Sequence, residues 1–145
     1  MASATSSDYL YTAQLTYLLK STATTPPAPA TTYIALLTTT PADGLDGVGL
    51  VEVSGGSYAR QPITYNTGWT SIGARPNLEI SNAADITFPV PTANWGTITG
   101  AALYDAVTGG NLLYIAHLSA SKNVVLGDGA PKILMNQLKI SRATC

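Results

Sequence analysis

Residues 52–61 of the chain are EVSGGSYARQ, and Pro62 follows directly. Two adjacent glycines can cradle a phosphate, but such a loop needs a helix immediately after it, so that helix amides and the helix dipole face the anion. Residues 57–66 instead alternate as a β-strand does, and Pro62 excludes a helix interior while fitting an edge strand or a bulge. Gly55 and Gly56 are therefore predicted to form a turn between two strands.

Arg60 is the residue of this stretch most able to bind a charged or aromatic group, and it is one of only seven basic residues in the chain. In the alternating pattern it shares a face with Tyr58, and an arginine can stack on tyrosine or hold a carboxylate with its planar fork. Glu52 lies just across the predicted turn. We interpret Arg60 as a structural clamp in preference to a ligand contact, with Glu52 as its partner.

The sequence on both sides of this turn predicts further strands. Asp105, Gly109 and Gly110 indicate a hairpin turn between two of them, since glycine supplies positive φ and Asp favours turns. Residues 67–85 are irregular and hold at most a short strand. Seven or eight short strands separated by turns predict an all-β, antiparallel, jelly-roll-like sandwich over residues 31–145. The strands are predicted around 49–55 and at 32–40, 57–66, 86–96 (broken at Pro89), 97–106 and 112–120, with two more around a turn at 127–129.

The N-terminal residues 1–30 have a different character. Residues 6–20 predict a helix capped by Ser6 or Ser7, and residues 21–32, STATTPPAPATT, end it as a semi-rigid extended strap. We expect this helix and arm to stand away from the sandwich and to contact a neighbouring molecule. The alternative is that these residues pack on the chain's own sandwich. The expected interface residues, large or stiff side chains of the helix and strap, are Tyr9, Leu10, Tyr17, Leu18, Pro26 and Pro27.

Composition excludes several classes of protein. The chain has 145 residues, which suits one domain, and its 7 basic and 8 acidic residues give a net charge of −1. Without a basic excess we expect no nucleic-acid partner. No apolar run approaches the length of a membrane span, and the start is not typical of a secretory signal, so we expect no membrane partner and synthesis in a cytoplasm. So few charges favour a surface that packs against copies or partners.

Candidate catalytic and metal-binding groups are sparse. His117 is the only histidine and lies within a predicted strand without a nucleophile motif nearby, and Cys145 is the only cysteine. The segment ADGLDG, 42–47, lacks the ligand spacing of a calcium loop. Four carboxylates are candidates for a glycosidase pair, but no spacing links any two of them: Glu52, Glu79, Asp85 and Asp105. We therefore predict no catalytic site, no metal site and no cofactor.

Several quoted segments together resemble a family of small structural proteins of tailed bacteriophages. They are YIALLTTTPADG, EVSGGSYARQPITY and ITFPVPTANWGTITGAALYDAVTGGNLLY, spread over about residues 8–118. The match includes Trp95 and Gly96 at the entry to one strand. One departure is Leu37, where the resemblance leads us to expect histidine.

The resemblance implies a virion protein assembled in the host cytoplasm. Proteins of this family are described as minor tail, tail-fibre or virion structural proteins, and small β-sandwiches also resemble capsid cement proteins. From the sequence we favour a cement protein that binds the major capsid protein and forms a dimer or trimer. The alternative is a tail, baseplate or tail-fibre component, in which Trp69 or Trp95 stacks on host sugars. Trp95 more readily plugs one end of the sandwich.

Overall fold

The computed structural model describes residues 5–19, 29–40, 46–72 and 79–141. It confirms the predicted all-β antiparallel sandwich. Within the described residues there is one helix, and the elements in chain order are β1 (Thr5–Ser6), α1 (Asp8–Leu19), β2 (Thr31–Thr39), β3 (Val51–Glu52), β4 (Gln61–Thr64), β5 (Trp69–Ile72), β6 (Glu79–Asn82), β7 (Ile86–Thr87), β8 (Gly96–Tyr104), β9 (Leu112–Val124), β10 (Lys132–Ile133) and β11 (Lys139–Ser141).

The larger layer is a six-stranded sheet in the order β1-β9-β8-β2-β3, with β4 also paired to β2. Its centre is the antiparallel set of strands β2, β8 and β9, in which Ile34 lies opposite Leu103 and Leu103 opposite Tyr114. Because β4 pairs only with β2 among the described strands, Pro62 sits on an edge strand, where its missing N–H costs no ladder bond.

The second layer consists of the three-stranded sheet β11-β6-β5 and the two-stranded sheet β10-β7. Leu138 and Ile140 share the lining of a small apolar cavity with Ile34, Leu103 and Tyr114 of the larger sheet, so the two layers face each other there. Burial of apolar area between the layers is the main force that holds them together. The largest buried members of the core cluster include Ile34, Leu36, Phe88, Trp95, Ile98, Leu103 and Leu138.

Strand β2 is buried on both faces. Ile34 and Leu36 belong to the core cluster, while Ala35 and Leu37 are fully buried on the opposite face. That second face carries small residues of the neighbouring strand, such as Gly100 opposite Leu37. Thr40 folds against Gly100, which leaves no room there for a side chain.

Strand boundaries differ from the prediction in several places. The strand predicted at 86–96 is limited to β7, Ile86–Thr87. Residues 57–60 are not part of a strand, since the chain uses them to cross back from the Gly55–Gly56 turn before β4 begins at Gln61. The region 67–85, predicted to be irregular, holds both β5 and β6. Residues 112–124 form a single strand, although two were expected, because β9 continues past an irregularity in its pairing with β8.

Residues 5–19 are docked on the sandwich through β9, which corrects the expectation that the helix stands away from it. Residues of β1 pair with β9, and the Ser7 amide donates to the Leu113 carbonyl at 2.8 Å. Ser7 also caps α1: its hydroxyl accepts from the Leu10 amide at 3.2 Å and donates to the Leu112 carbonyl. The strap residues Pro26 and Pro27 lie outside the described residues.

Candidate functional site

The segment EVSGGSYARQ fills a gap in the pairing of β2. β3 pairs with β2 at Leu37 and Thr39, and β4 pairs with it from Thr31 to Ile34. Leu36 lies between the two partners, so its backbone groups need others. Its carbonyl accepts from the Val53 amide at 3.0 Å, and its amide donates to the Tyr58 hydroxyl at 2.8 Å. The tyrosine hydroxyl thus replaces the carbonyl that a neighbouring strand would supply.

The Tyr58 hydroxyl in turn donates a hydrogen bond to a carboxylate. It donates to Glu52 Oε1 at 3.0 Å, and Arg60 donates to the same carboxylate from Nε to Oε1 at 2.9 Å and from Nη2 to Oε2 at 2.8 Å. This is a two-pronged arginine–carboxylate pair, the strong geometry for such groups. The Arg60 side chain is only 9% exposed and that of Glu52 26%, so water screens the pair little. Leu36, Tyr58, Glu52 and Arg60 form one hydrogen-bonded relay.

Arg60 extends this relay to the β8–β9 hairpin. Its Nη1 donates to the carbonyls of Ala106 at 2.9 Å and Gly109 at 2.8 Å. The guanidinium carbon lies 3.8 Å from the ring centre of Tyr104, so the tyrosine it stacks on is Tyr104 and not Tyr58, the neighbour in the sequence pattern. Tyr58 lies elsewhere because residues 57–60 are not an extended strand and do not keep strand alternation.

The hairpin is shaped to receive the arginine. Asp105 accepts from the Asn111 amide at 2.7 Å and from its side-chain amide at 2.8 Å, which closes the turn. Gly110 has φ +76°, and a Cβ there would lie 2.5 Å from Asp105 Oδ1, so the position accepts only glycine. The turn thereby presents the Gly109 carbonyl to Arg60.

Trp95 anchors the other side of the same segment. Its Nε1 donates to the Gly56 carbonyl at 2.8 Å, and the ring meets Tyr58 edge-on with 5.3 Å between ring centres. Gly56 has φ +57°, and a Cβ there would lie 2.9 Å from Trp95 Nε1. Tyr58 in turn stacks beside Phe88. The double glycine is a turn packed under a buried tryptophan.

Burial sets the protonation of these groups. Desolvation raises the pKa of the Tyr58 hydroxyl far above its ordinary value, and the neighbouring Glu52 charge raises it further. Desolvation likewise raises the pKa of Tyr104, against the opposing effect of the Arg60 charge. Burial disfavours the charged form of Arg60, but the hydrogen bond and charge of Glu52 outweigh it and raise the pKa of Arg60 above its usual value. Both tyrosines stay neutral and Arg60 charged throughout the physiological range.

The arrangement can hold the fold together, but it offers little to a ligand. All three nitrogens of Arg60 already donate to protein oxygens, and both Glu52 oxygens accept. Within the described residues, no cluster of three or more His, Cys, Asp or Glu side chains is placed to hold a metal ion. No described helix has the length and apolar character to cross a membrane.

A protein-family model, described as podophage GP4 fiber I protein gp80, matches residues 5–141. The chain belongs to this family. The match spans the sandwich together with β1 and α1, and it makes the chain a structural protein of the phage virion. A search among curated proteins gives no match.

The segment at residues 52–61 is therefore an architectural element of this chain. The tryptophans considered for sugar stacking fit the same picture: Trp95 is buried and Trp69 is half-buried against the core. The buried ring of Trp95 has no free face for a sugar. His117, the remaining candidate for catalysis, is exposed on β9 opposite Gly100.

The expected interface residues of the helix lie in different environments in the structure. Leu10 packs against the chain's own core, which is the alternative to an intermolecular role, while Tyr9 is 46% exposed. The side chains of Tyr17 and Leu18 lie outside the described set. The sequence-based prediction did not include Tyr11, Leu15 and Leu19, which are exposed on the same helix. Their spacing of four residues was the available signal.

Proposed function

We propose that the chain is a non-catalytic structural component of the phage fiber apparatus. The observation that carries this proposal is the family match over residues 5–141, whose model describes a fiber protein. It favours the tail-fibre alternative over the capsid cement function that the sequence alone led us to prefer. The proposed partners are other virion proteins and further copies of this chain.

A non-catalytic role is supported by the way the most polar buried side chains are used. Catalysis needs titratable groups that converge on a cavity with free hydrogen-bonding capacity. In the relay those groups bind each other and the backbone, and every buried polar side-chain atom in the described residues has a partner. The small cavity between the sheets is lined by apolar side chains together with Tyr114.

The proposal is tested by deleting the coding region in a phage that carries this chain and comparing the particles with the parent. A fiber component affects attachment, so we expect slower adsorption to host cells and unchanged heat-induced DNA release from the heads. Antibody-gold labelling of parent particles is expected at the tail. Supplying the wild-type chain in trans is the control and is expected to restore adsorption.

The opposite pair of results would overturn the proposal. Heads that release DNA at lower temperature, with normal adsorption and gold on the head shell, would establish the cement function instead.

A further inference from the structure

The connection between β4 and β5 is a short turn that carries an exposed tyrosine. It consists of residues 64–68, TYNTG, and leads from the larger sheet into the second layer. Residues 64–67 are exposed, and Tyr65 is 58% exposed. Among the described residues, the other exposed tyrosines lie on the helix α1. This segment, the Tyr65 turn, is therefore a distinct surface feature.

Backbone hydrogen bonds hold the Tyr65 turn at both ends. The Tyr65 amide donates to the Ala30 carbonyl at 3.0 Å, and the Ala83 amide donates to the Gly68 carbonyl at 2.9 Å. Within the turn, the Gly68 amide donates to the Thr64 carbonyl at 2.9 Å. A ligand therefore meets a backbone that is already ordered, which lowers the entropy cost of binding.

Packing against the core fixes the turn further. A Cβ at Gly68 would lie 2.6 Å from Ile63 Cγ2, so the chain there is pressed against a side chain that is itself buried. Trp69, the next residue, packs against the core cluster. Asn66 has φ +68°, a left-handed conformation that asparagine adopts more readily than most residues. The core thus supports the turn, while the side chains of residues 64–67 stay exposed.

The exposed side chains of the turn are an aromatic ring, an amide and two hydroxyls. Residues 61–72, QPITYNTGWTSI, contain no charged residue. Within the described residues, the side chains of the turn make no hydrogen bond to the protein, whereas Asp105 and Asn111 of the β8–β9 hairpin bind each other. The amide and the hydroxyls therefore keep their donors and acceptors for a ligand or for water.

We propose that the Tyr65 turn binds a neutral pyranose sugar of a host surface polysaccharide. The C–H groups on one face of a pyranose ring are apolar and pack on the negative face of an aromatic ring. The hydroxyl groups at the edge of the sugar both donate and accept, which matches the amide of Asn66 and the hydroxyl of Thr67. The host surface as the source of the sugar rests on the proposed fiber function, whereas the chemistry of the ligand rests on the turn alone.

The size and the charge of the turn favour a sugar over other partners. With about 200 Å² for a fully exposed tyrosine, Tyr65 at 58% offers roughly 120 Å². A specific protein interface buries about 600 Å² or more on each side, so one ring suffices for a sugar ring and not for a protein. Residues 61–72 also provide no basic group for a phosphate or a carboxylate.

The test is a titration of the isotope-labelled full chain, followed by the NMR shifts of its backbone amides. The probes are the methyl glycosides of glucose, galactose, N-acetylglucosamine and rhamnose, and polysaccharide purified from the host surface. At least one neutral sugar is expected to shift the amides of residues 64–69, with a Kd in the millimolar range because the contact is small. Inorganic phosphate is the charged control and is expected to leave these amides unshifted.

Two tyrosines of equal exposure provide matched variants. Tyr65→Ala removes the ring and is expected to raise the Kd for the sugar at least about tenfold. Tyr11→Ala is the control, because Tyr11 is also 58% exposed but lies on α1, and it is expected to leave the Kd unchanged. Tyr65→Phe keeps the ring face and is expected to bind within about twofold of the wild type. Asn66→Gly keeps the left-handed backbone, removes the amide and is expected to weaken binding about fivefold. Urea denaturation of each variant establishes that it is folded.

Three outcomes would overturn the sugar site. No probe shifts the amides of the turn, or Tyr65→Ala and Tyr11→Ala raise the Kd equally, or phosphate shifts the same amides as strongly as the sugars do. Binding of a methyl glycoside without binding of the host polysaccharide would overturn the host surface as the source. A chain that binds no sugar while gold labelling places it at the tail would contradict this site and leave the fiber function intact.

Discussion

The relay around Arg60 differs in chemistry and in burial from the exposed apolar ridge of α1, which consists of Tyr11, Leu15 and Leu19. The relay is charged, nearly buried and fully hydrogen-bonded, and it joins β2, β3 and the β8–β9 hairpin. The ridge is apolar, exposed and without a charge. The charged and hydrogen-bonding side chains of the relay thus stabilise the fold, whereas the exposed apolar side chains of α1 are accessible to a partner.

The largest expected effect is the loss of stability that follows when the relay is broken. Arg60→Ala leaves the Glu52 carboxylate and two hairpin carbonyls without their donor, and we expect it to lower the free energy of unfolding by about 3 kcal/mol in urea denaturation. The control is Lys139→Ala, which removes a more exposed ion pair with Glu79 and is expected to cost less than about 1 kcal/mol. Unchanged stability together with lost self-association or incorporation would make Arg60 a contact residue.

The glycine pair offers a matched comparison within the turn. Gly56→Ala adds a methyl group against Trp95 at a left-handed backbone position, so we expect a loss of about 3 kcal/mol from strain and overpacking. Gly55→Ala has φ +74° but meets no atom within 4 Å, so its loss should be about 1–2 kcal/mol. Thermal or urea unfolding measures both. Equal losses would mean that Trp95 moves away without cost.

Removal of one oxygen tests whether Tyr58 substitutes for a strand. Tyr58→Phe leaves the Leu36 amide without its acceptor, and we expect a loss of about 1–3 kcal/mol in urea denaturation at pH 8. Tyr65→Phe is the control, since Tyr65 is 58% exposed, and it should change little. A Tyr58→Phe protein as stable as wild type would show that water serves the Leu36 amide equally well.

The same tyrosines predict a fall in stability at alkaline pH. Burial raises the pKa of Tyr58, Tyr104 and Tyr114 in the folded chain, so the unfolded chain loses these protons first, near its ordinary pKa of about 10. The stabilisation is complete below pH 10 and is lost as pH rises above it, by up to about 1.4 kcal/mol per pH unit for each tyrosine. Urea denaturation from pH 8 to 11 measures the slope. Tyr114→Phe should reduce it, and an unchanged slope would contradict the assignment.

The smallest effect is expected on the ridge. Leu19→Glu changes an exposed side chain at the end of α1, so the free energy of unfolding of the monomer should change by less than about 0.5 kcal/mol. Urea denaturation in dilute solution checks this. A loss above 1 kcal/mol would mean that Leu19 packs on its own chain, and the contrast between relay and ridge would then disappear.

The sequence predicts the strand–turn–strand character of residues 52–64 well because glycine, proline and alternation are local signals. The sequence could not predict that Arg60 stacks on Tyr104. The two residues are far apart in sequence, and β2 and the hairpin bring them together. Strands β5 and β6 were missed because each takes its stability from its partner: Trp69 is opposite Asn82 and Ile72 opposite Glu79, pairs without an alternating apolar pattern. The docking of β1 and α1 on β9 depends on a backbone hydrogen bond of Ser7, and such a bond cannot be recognised from the amino-acid sequence.

That docking has a consequence for how the protein is made. The Ser7 hydroxyl binds the carbonyl of Leu112, a residue 105 positions later in the chain. At about 5–20 residues per second, a ribosome needs roughly 5–20 s to deliver the acceptor after the donor has appeared. Through that interval α1 emerges without the β9 surface on which it docks. Docking of α1 on the sandwich therefore has to wait until β9 has been synthesised.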